Sequence, residues 1–202
     1  MMDKPSIGSE EYWNDRYSKL DNIDWTPSRF LAGNIKLIPR DGTALVLGCG
    51  TGKNALFLAK SLKIVGIDIS KNAIAIAKER SRELKDAGEL KFEIMDARDY
   101  FTSERKEQFD LITSLNFFDP NLVAGMKRAL KPGGTLFIQA FTSKDERLKD
   151  SNIKDVLIDD TTFFEPAIFG GYWFIKHEVE NFKDREGKNR QRINLIARKP
   201  HS

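Results

Sequence analysis

Ala44-Leu45-Val46-Leu47-Gly48-Cys49-Gly50-Thr51-Gly52 is an apolar strand pattern that runs into three glycines at alternate positions, with a helical pattern directly behind. Residues without a Cβ let the backbone lie against a ligand and supply turns that other residues resist. The helix start behind them offers unpaired N–H groups at the positive end of its dipole. The stretch therefore predicts a strand–turn–helix that cradles a nucleotide-type or carboxylate-bearing cofactor.

Outward from that turn, strands and helices alternate. Strands are expected at 44–48, 63–68, 90–95, 109–114 and 135–140. Helices are expected at about 52–62, behind Ser70 as an N-cap with Ala73, Ile74, Ala77 and Leu84 inward, and at about 121–130. That last helix should stop at Leu130-Lys131-Pro132-Gly133-Gly134. The alternation predicts an α/β fold, a parallel sheet with helices on both faces. Ahead of it, 9–20 carries Tyr12, Trp13, Tyr17 and Leu20 on one helical face, and 27–37 reads as a helix started by Thr26 and Pro27. Behind it, 173–182 and 191–198 read as an antiparallel hairpin turned by Asp184–Lys188. Residues 143–161 form a polar connection. The expected organisation is one domain over 1–202, with an N-terminal helical cap at 1–40 and the core at 41–202.

Composition bounds the function. The chain has 202 residues, 40% hydrophobic and 31% charged, which fits a soluble globular domain. No apolar run is long enough to span a bilayer, and Met1–Ser6 lacks the apolar core of a secretory signal. One cysteine, Cys49, and two histidines, His177 and His201, exclude a disulfide framework and argue against a structural metal. The expectation is a cytoplasmic protein without a metal or a membrane partner. A net charge of +3 is too mild to argue for nucleic acid. The basic-rich stretch Lys183–Lys199 reads as a charged hairpin tip in water.

Three cues choose among cofactors. A dinucleotide fingerprint wants glycines at positions one, three and six, and here Lys53 occupies position six. Lys53 is followed by Asn54, so the turn is no Walker A loop. Asp68 ends the second strand twenty residues after Gly48, where a carboxylate can accept from both hydroxyls of a ribose. Asp96-Ala97 follows the third strand, where the carboxylate can take an adenine amino group and the next N–H a ring nitrogen.

In this order and spacing the chain resembles a class I S-adenosylmethionine-dependent methyltransferase over nearly its whole length. Leu47–Gly52, Val65–Ser70, Asp96-Ala97, Phe109–Ile112 and Leu130–Leu136 are similar to the successive motifs of that family. Gly52-Lys53-Asn54-Ala55-Leu56-Phe57-Leu58-Ala59, with Trp13, Tyr17 and Trp25 ahead of it, resembles the tellurite-resistance and thiopurine small-molecule methyltransferases. The resemblance implies a Rossmann-like, doubly wound, seven-stranded sheet, mostly parallel with an antiparallel last strand. It implies S-adenosyl-L-methionine as cofactor, held by Gly48, Gly50, Gly52, Asn54, Asp68, Ile69, Asp96, Ala97 and Leu115, with Trp13 and Tyr17 closing over it. Trp25, Arg29, Asn116 and Phe117 are the candidate acceptor contacts. The chain departs from the family at Val46, where many members carry an acidic residue.

The acceptor is a separate question. The loop Asn116-Phe117-Phe118-Asp119-Pro120 lacks the Asn-Pro-Pro-aromatic signature of base amino-group methylation, and no Pro-Cys pair is present. Phe117, Phe118, Phe163, Phe164 and Trp173 are an expected apolar wall for a small acceptor, or plain core. Cys49 reads as a packing residue and His177 as a structural strand residue. No catalytic base stands out. The reading is methyl transfer to a small-molecule acceptor, a thiol or chalcogen nucleophile, by in-line displacement. The alternatives are a protein or RNA methyltransferase, or a methyltransferase-like protein that binds the cofactor without turnover.

Overall fold

Alternation along one strand sets the two faces of the molecule. In Thr43–Leu47, β1, Leu45 and Leu47 pack into one apolar cluster and Ala44 and Val46 into the other. The computed structural model describes residues 6–84, 88–101, 105–148, 157–159, 161–184 and 186–201. The other strands are β2 (Lys63–Asp68), β3 (Leu90–Ile94), β4 (Phe109–Leu115), β5 (Leu130–Phe141), β6 (Trp173–Lys183) and β7 (Asn189–Arg198). They form one seven-stranded sheet in the order β3-β2-β1-β4-β5-β7-β6. The pairings among β1 to β5 are parallel. β7 runs antiparallel to β5 and β6 and lies between them, because a short turn joins β6 to β7 as a hairpin. The Rossmann-like sheet with an antiparallel last strand is therefore present.

Around the sheet lie α1 (Glu10–Ser18), α2 (Arg29–Gly33), α3 (Lys53–Leu58), α4 (Lys71–Arg82), α5 (Ala97–Tyr100), α6 (Val123–Ala129) and α7 (Pro166–Phe169). Phe30 and Leu31 of α2 bury into the cluster that holds Val46, Leu115, Phe137 and Ile196. This places the N-terminal helices over the face that carries Val46. Ser70 caps α4 as expected, accepting from the Ala73 N–H at 3.2 Å, and Ala73, Ile74 and Ala77 are buried.

Four local expectations change. The helix of 27–37 is only α2 followed by a 3-10 turn at Ile35–Leu37. The Ser28 N–H donates to Asn54 Oδ1 at 2.8 Å, so Ser28, not Thr26, precedes the first helical turn. The helix of 52–62 stops as α3 at Leu58. Leu84 lies beyond the end of α4 and is exposed rather than inward. The stop at Leu130–Gly134 is a bulged strand start. The register jumps from Phe109↔Leu130 to Leu111↔Thr135, and Gly133 takes φ +74° to absorb the extra residues. The polar connection 143–161 lies partly outside the described residues, as does Met1–Pro5.

Thr113, at the middle of β4, is fully buried and its Oγ1 has no hydrogen-bond partner. An unsatisfied buried hydroxyl is costly, while an apolar group of the same shape is not. Thr113→Val is expected to stabilise the protein by about 1 kcal/mol. Thermal unfolding reads this as a raised Tm, and an unchanged or lower Tm overturns it.

Candidate functional site

The glycine turn leaves β1 in backbone that side-chain-bearing residues avoid. Gly48, Gly50 and Gly52 have φ of +56°, +54° and +87°. A Cβ on Gly52 would stand 2.9 Å from Ala77 Cβ, so the third glycine lets α3 and α4 meet. Cys49 is buried inside the turn, and burial pushes its thiol up, out of the reactive range. It is a packing residue, as expected.

Asp68, at the end of β2, closes the turn from the side. Its Oδ2 accepts from the Gly50 N–H at 2.8 Å and its Oδ1 from the Ser70 N–H at 2.9 Å. Burial raises its pKa above the usual carboxylate value, and those two N–H groups pull the other way. Tyr17 reaches in from α1. Its hydroxyl would lie 2.7 Å from a Cβ on Gly50. Burial, with the Asp68 charge beside it, keeps that phenol protonated well above its ordinary range.

Asn14 fixes α1 in place. Its Oδ1 accepts from Ser70 Oγ at 2.8 Å and its backbone carbonyl from Asn72 Nδ2 at 2.9 Å. The sequence carries no signal for this residue beyond its helical position. Trp13 stacks on Tyr17 with 6.0 Å between ring centroids, on the same side. Trp25 is half-buried against the apolar cluster under α2, with the Arg80 guanidinium 5.1 Å from its ring. Asn54 spends its Oδ1 on the Ser28 N–H, so it ties the approach to α2 onto the start of α3.

The ends of β3 and β4 line the same sheet edge. Ile69 is half-buried beside Asp68, and Ala97 is buried behind Asp96. The Asp96 carboxylate is engaged. It accepts from the Arg98 backbone N–H at 2.8 Å and from the Arg98 guanidinium at 2.5 Å. The Arg98 hydrogen bonds hold its pKa below the usual carboxylate range. At the end of β4, Leu115 is buried and Asn116 takes φ +59°, an uncommon conformation for a residue with a side chain. Ser114 Oγ donates to the Phe117 carbonyl. A Cβ on Gly48 would stand 2.8 Å from Phe117, so this ring lies against the first glycine.

Other candidates fall elsewhere. The five-residue apolar wall does not assemble. Phe163 is buried core, packed edge-on to Phe118 at 5.3 Å, while Phe164 is exposed and stacks on His177 at 4.6 Å. Trp173 begins β6 in register with Arg198, which pairs with Thr135, so it sits at the opposite end of the sheet. His177 pairs with Leu195 in mid-strand, as the structural reading expects. Arg29 is exposed on α2, and its charge helps lower the pKa of Glu180 on β6. The basic hairpin is more than a solvated tip: the Arg190 side chain is only 9% exposed and pairs with Asp145 at 2.6 Å, and Arg192 pairs with Glu180 at 2.7 Å.

The chemistry of the edge fits S-adenosylmethionine. Backbone without side chains, a buried carboxylate beside it and aromatic rings over it suit an adenosyl group joined to an amino acid. A family model described as a methyltransferase domain matches residues 39–191. The chain belongs to the methyltransferase-domain family. It is 37% identical over 115 residues to probable thiol methyltransferase 2 of Arabidopsis thaliana, covering 53% of this chain and 49% of that one. The chain spans between 31% and 58% of the length of the curated relatives it matches. In fold it is similar to TehB from Haemophilus influenzae, with a TM-score of 0.67 and 19% identity over 94% of this chain and 66% of that one. A second likeness is phosphoethanolamine N-methyltransferase 2 of Haemonchus contortus, solved with phosphomonomethylethanolamine and S-adenosylhomocysteine. Its TM-score is 0.70 at 22% identity, over 96% of this chain and 61% of that one. Among the described residues, no helix is long and apolar enough to cross a membrane.

Proposed function

We propose that this methyltransferase transfers a methyl group to a small-molecule nucleophile, a thiol or chalcogen anion, at the edge formed by the ends of β1, β2, β3 and β4. The observation that carries this is the convergence of the positive-φ glycine turn, buried Asp68 on the Gly50 N–H, and the Tyr17 hydroxyl over Gly50. Backbone at Gly48, Gly50 and Gly52 holds the methionine part of the cofactor. Asp68 accepts the ribose hydroxyls, Ile69 and Leu115 flank the adenosyl group, and Asp96 with Ala97 meets the adenine. Trp13 and Tyr17 cover it. Residues 1–40 act as the cap and 41–202 as the core, with Asn54 tying one to the other.

The bound cofactor supplies a methyl group already activated by its sulfonium charge. The protein's own part is alignment and exclusion of water, and positioning alone contributes about 7–11 kcal/mol in well-oriented systems. Asn116 and Phe117 on the β4 loop, with Trp25 and Arg29 on the cap side, set the acceptor's approach. A thiolate or chalcogen anion needs no dedicated base, and His177 is in mid-strand, paired with Leu195 and against Phe164. The likeness to a thiol methyltransferase supports the acceptor class.

Isothermal titration with S-adenosylmethionine tests the cofactor site. Release of S-adenosylhomocysteine with thiol, selenide and telluride acceptors tests the reaction. Binding with no turnover on any of them leaves a cofactor-binding protein without this activity. Arg98→Ala frees the Asp96 carboxylate. It is expected to tighten S-adenosylmethionine binding about two- to fivefold, the size of an exposed ion pair. Weaker binding in the same titration shows that Arg98 itself supports the adenine.

A further inference from the structure

Four polar side chains cross β5, β7 and β6 on the face covered by the cap. Gln139 and Asn194 are 1% and 5% exposed, and no glycine-turn or adenosine contact requires them. Gln139 Nε2 donates to Asn194 Oδ1 at 2.7 Å, and Asn194 Nδ2 donates to Glu180 Oε2 at 3.1 Å. Arg192 grips both oxygens of Glu180, at 2.7 and 3.0 Å.

The carboxylate fixes the sense of this chain. Glu180 is held ionised by Arg192, so it only accepts. Asn194 must therefore turn its amino group to Glu180 and its carbonyl to Gln139. Gln139 must then turn its own amino group to Asn194, which leaves Oε1 directed away from Asn194. Gln139 is also bound to the acceptor loop. It is in register with Leu115, and its backbone carbonyl accepts from the Asn116 N–H at 2.8 Å. One layer below, Phe137 carries Phe30 of the cap at 5.7 Å.

Resting on the proposed methyl transfer, we infer that Gln139 Oε1, oriented through Asn194 and Glu180, is a specificity contact for an acceptor that bears a hydroxyl or amino hydrogen-bond donor next to its nucleophile. A buried, polarity-fixed acceptor favours a donor-bearing ligand, because an apolar one leaves the carbonyl unpaired. Glu180 and Asn194 are positioning residues. They touch Gln139, not the acceptor.

The test compares 2-mercaptoethanol and cysteamine with ethanethiol, in kcat and KM. The wild type is expected to prefer the two donor-bearing thiols about tenfold in kcat/KM, the worth of one hydrogen bond. Gln139→Leu should erase that preference through KM, raised for the two donor-bearing thiols and lowered for ethanethiol. Glu180→Gln, at a half-exposed position that leaves the core intact, removes the fixed polarity and should erode the preference without Gln139 being touched. No preference in the wild type, or a preference that survives both variants, overturns the inference. If no thiol turns over, the side-chain amide NMR signals of the S-adenosylhomocysteine complex decide. A shift of the Gln139 signal with ethanolamine that Glu180→Gln abolishes keeps the contact and discards the thiol chemistry. No shift discards the contact.

Discussion

Asp68→Ala is expected to weaken S-adenosylmethionine binding by about a hundredfold or more. Two hydroxyl donors to a carboxylate each contribute about 1.5–3 kcal/mol, and both are lost. The variant also orphans two backbone donors, the Gly50 and Ser70 N–H groups. That cost is offset in part, since the buried carboxylate is itself desolvated. Affinity should therefore fall much further than Tm. Titration calorimetry and thermal unfolding on the same variant separate the two effects. Binding within about threefold of wild type, less than one such bond is worth, makes Asp68 a structural latch only. The pH dependence carries the same signature. Because the folded pKa of Asp68 is raised, its contribution to the stability of the unliganded protein is present below the unfolded carboxylate pKa. It is lost as pH rises through the folded value. Ribose hydroxyls donate to the ionised form, so cofactor affinity should rise through the window in which this stabilisation falls away.

The glycine turn and Asp68 were legible because backbone conformation and strand ends leave a mark on residue type. Three glycines at alternate positions have few explanations besides the left-handed backbone they adopt here. The parallel sheet followed from strand–helix alternation, and the antiparallel hairpin from its short turn; the strand order is seen only in the fold. Asp96 was legible as a position but not as a state. Its partner Arg98 lies two residues on, and no periodicity says that the guanidinium folds back. The cap holds less helix than its pattern predicts: Asn54, 26 residues away, takes the Ser28 N–H, and the helix gives way to a 3-10 turn at Ile35. The aromatic wall failed for the same reason. Phe163, Phe164 and Trp173 are close in sequence, but the β6 register carries Trp173 to the far end of the sheet. The polar chain from Gln139 to Glu180 spans three strands that pair only after folding, and nothing in any one of them announces it.

Asp145→Ala is expected to destabilise the protein by about 3 kcal/mol, at the lower end of what breaking a buried ion pair costs. Asp145 is fully buried just beyond β5. Its Oδ2 accepts from Arg190 Nε at 2.6 Å and its Oδ1 from the Arg147 N–H at 3.1 Å. Arg190 is held between the rings of Phe141 and Phe182, at 4.6 and 5.9 Å, so it cannot swing into water without losing that packing. Asp184 is a second carboxylate near Arg190, at 3.6 Å, which softens the loss. For a chain of this length the expected fall in Tm is about 6–12 °C. The pair does not follow that it is stabilising as such, because burying both charges is expensive. Asp145→Leu with Arg190→Met should therefore recover most of the stability lost by either single change, a large coupling energy in a double-mutant cycle. If the double variant is as unstable as the sum of the singles, the pair is not coupled, and the loop beyond β5 is held to the hairpin by packing on Phe141 and Phe182 instead.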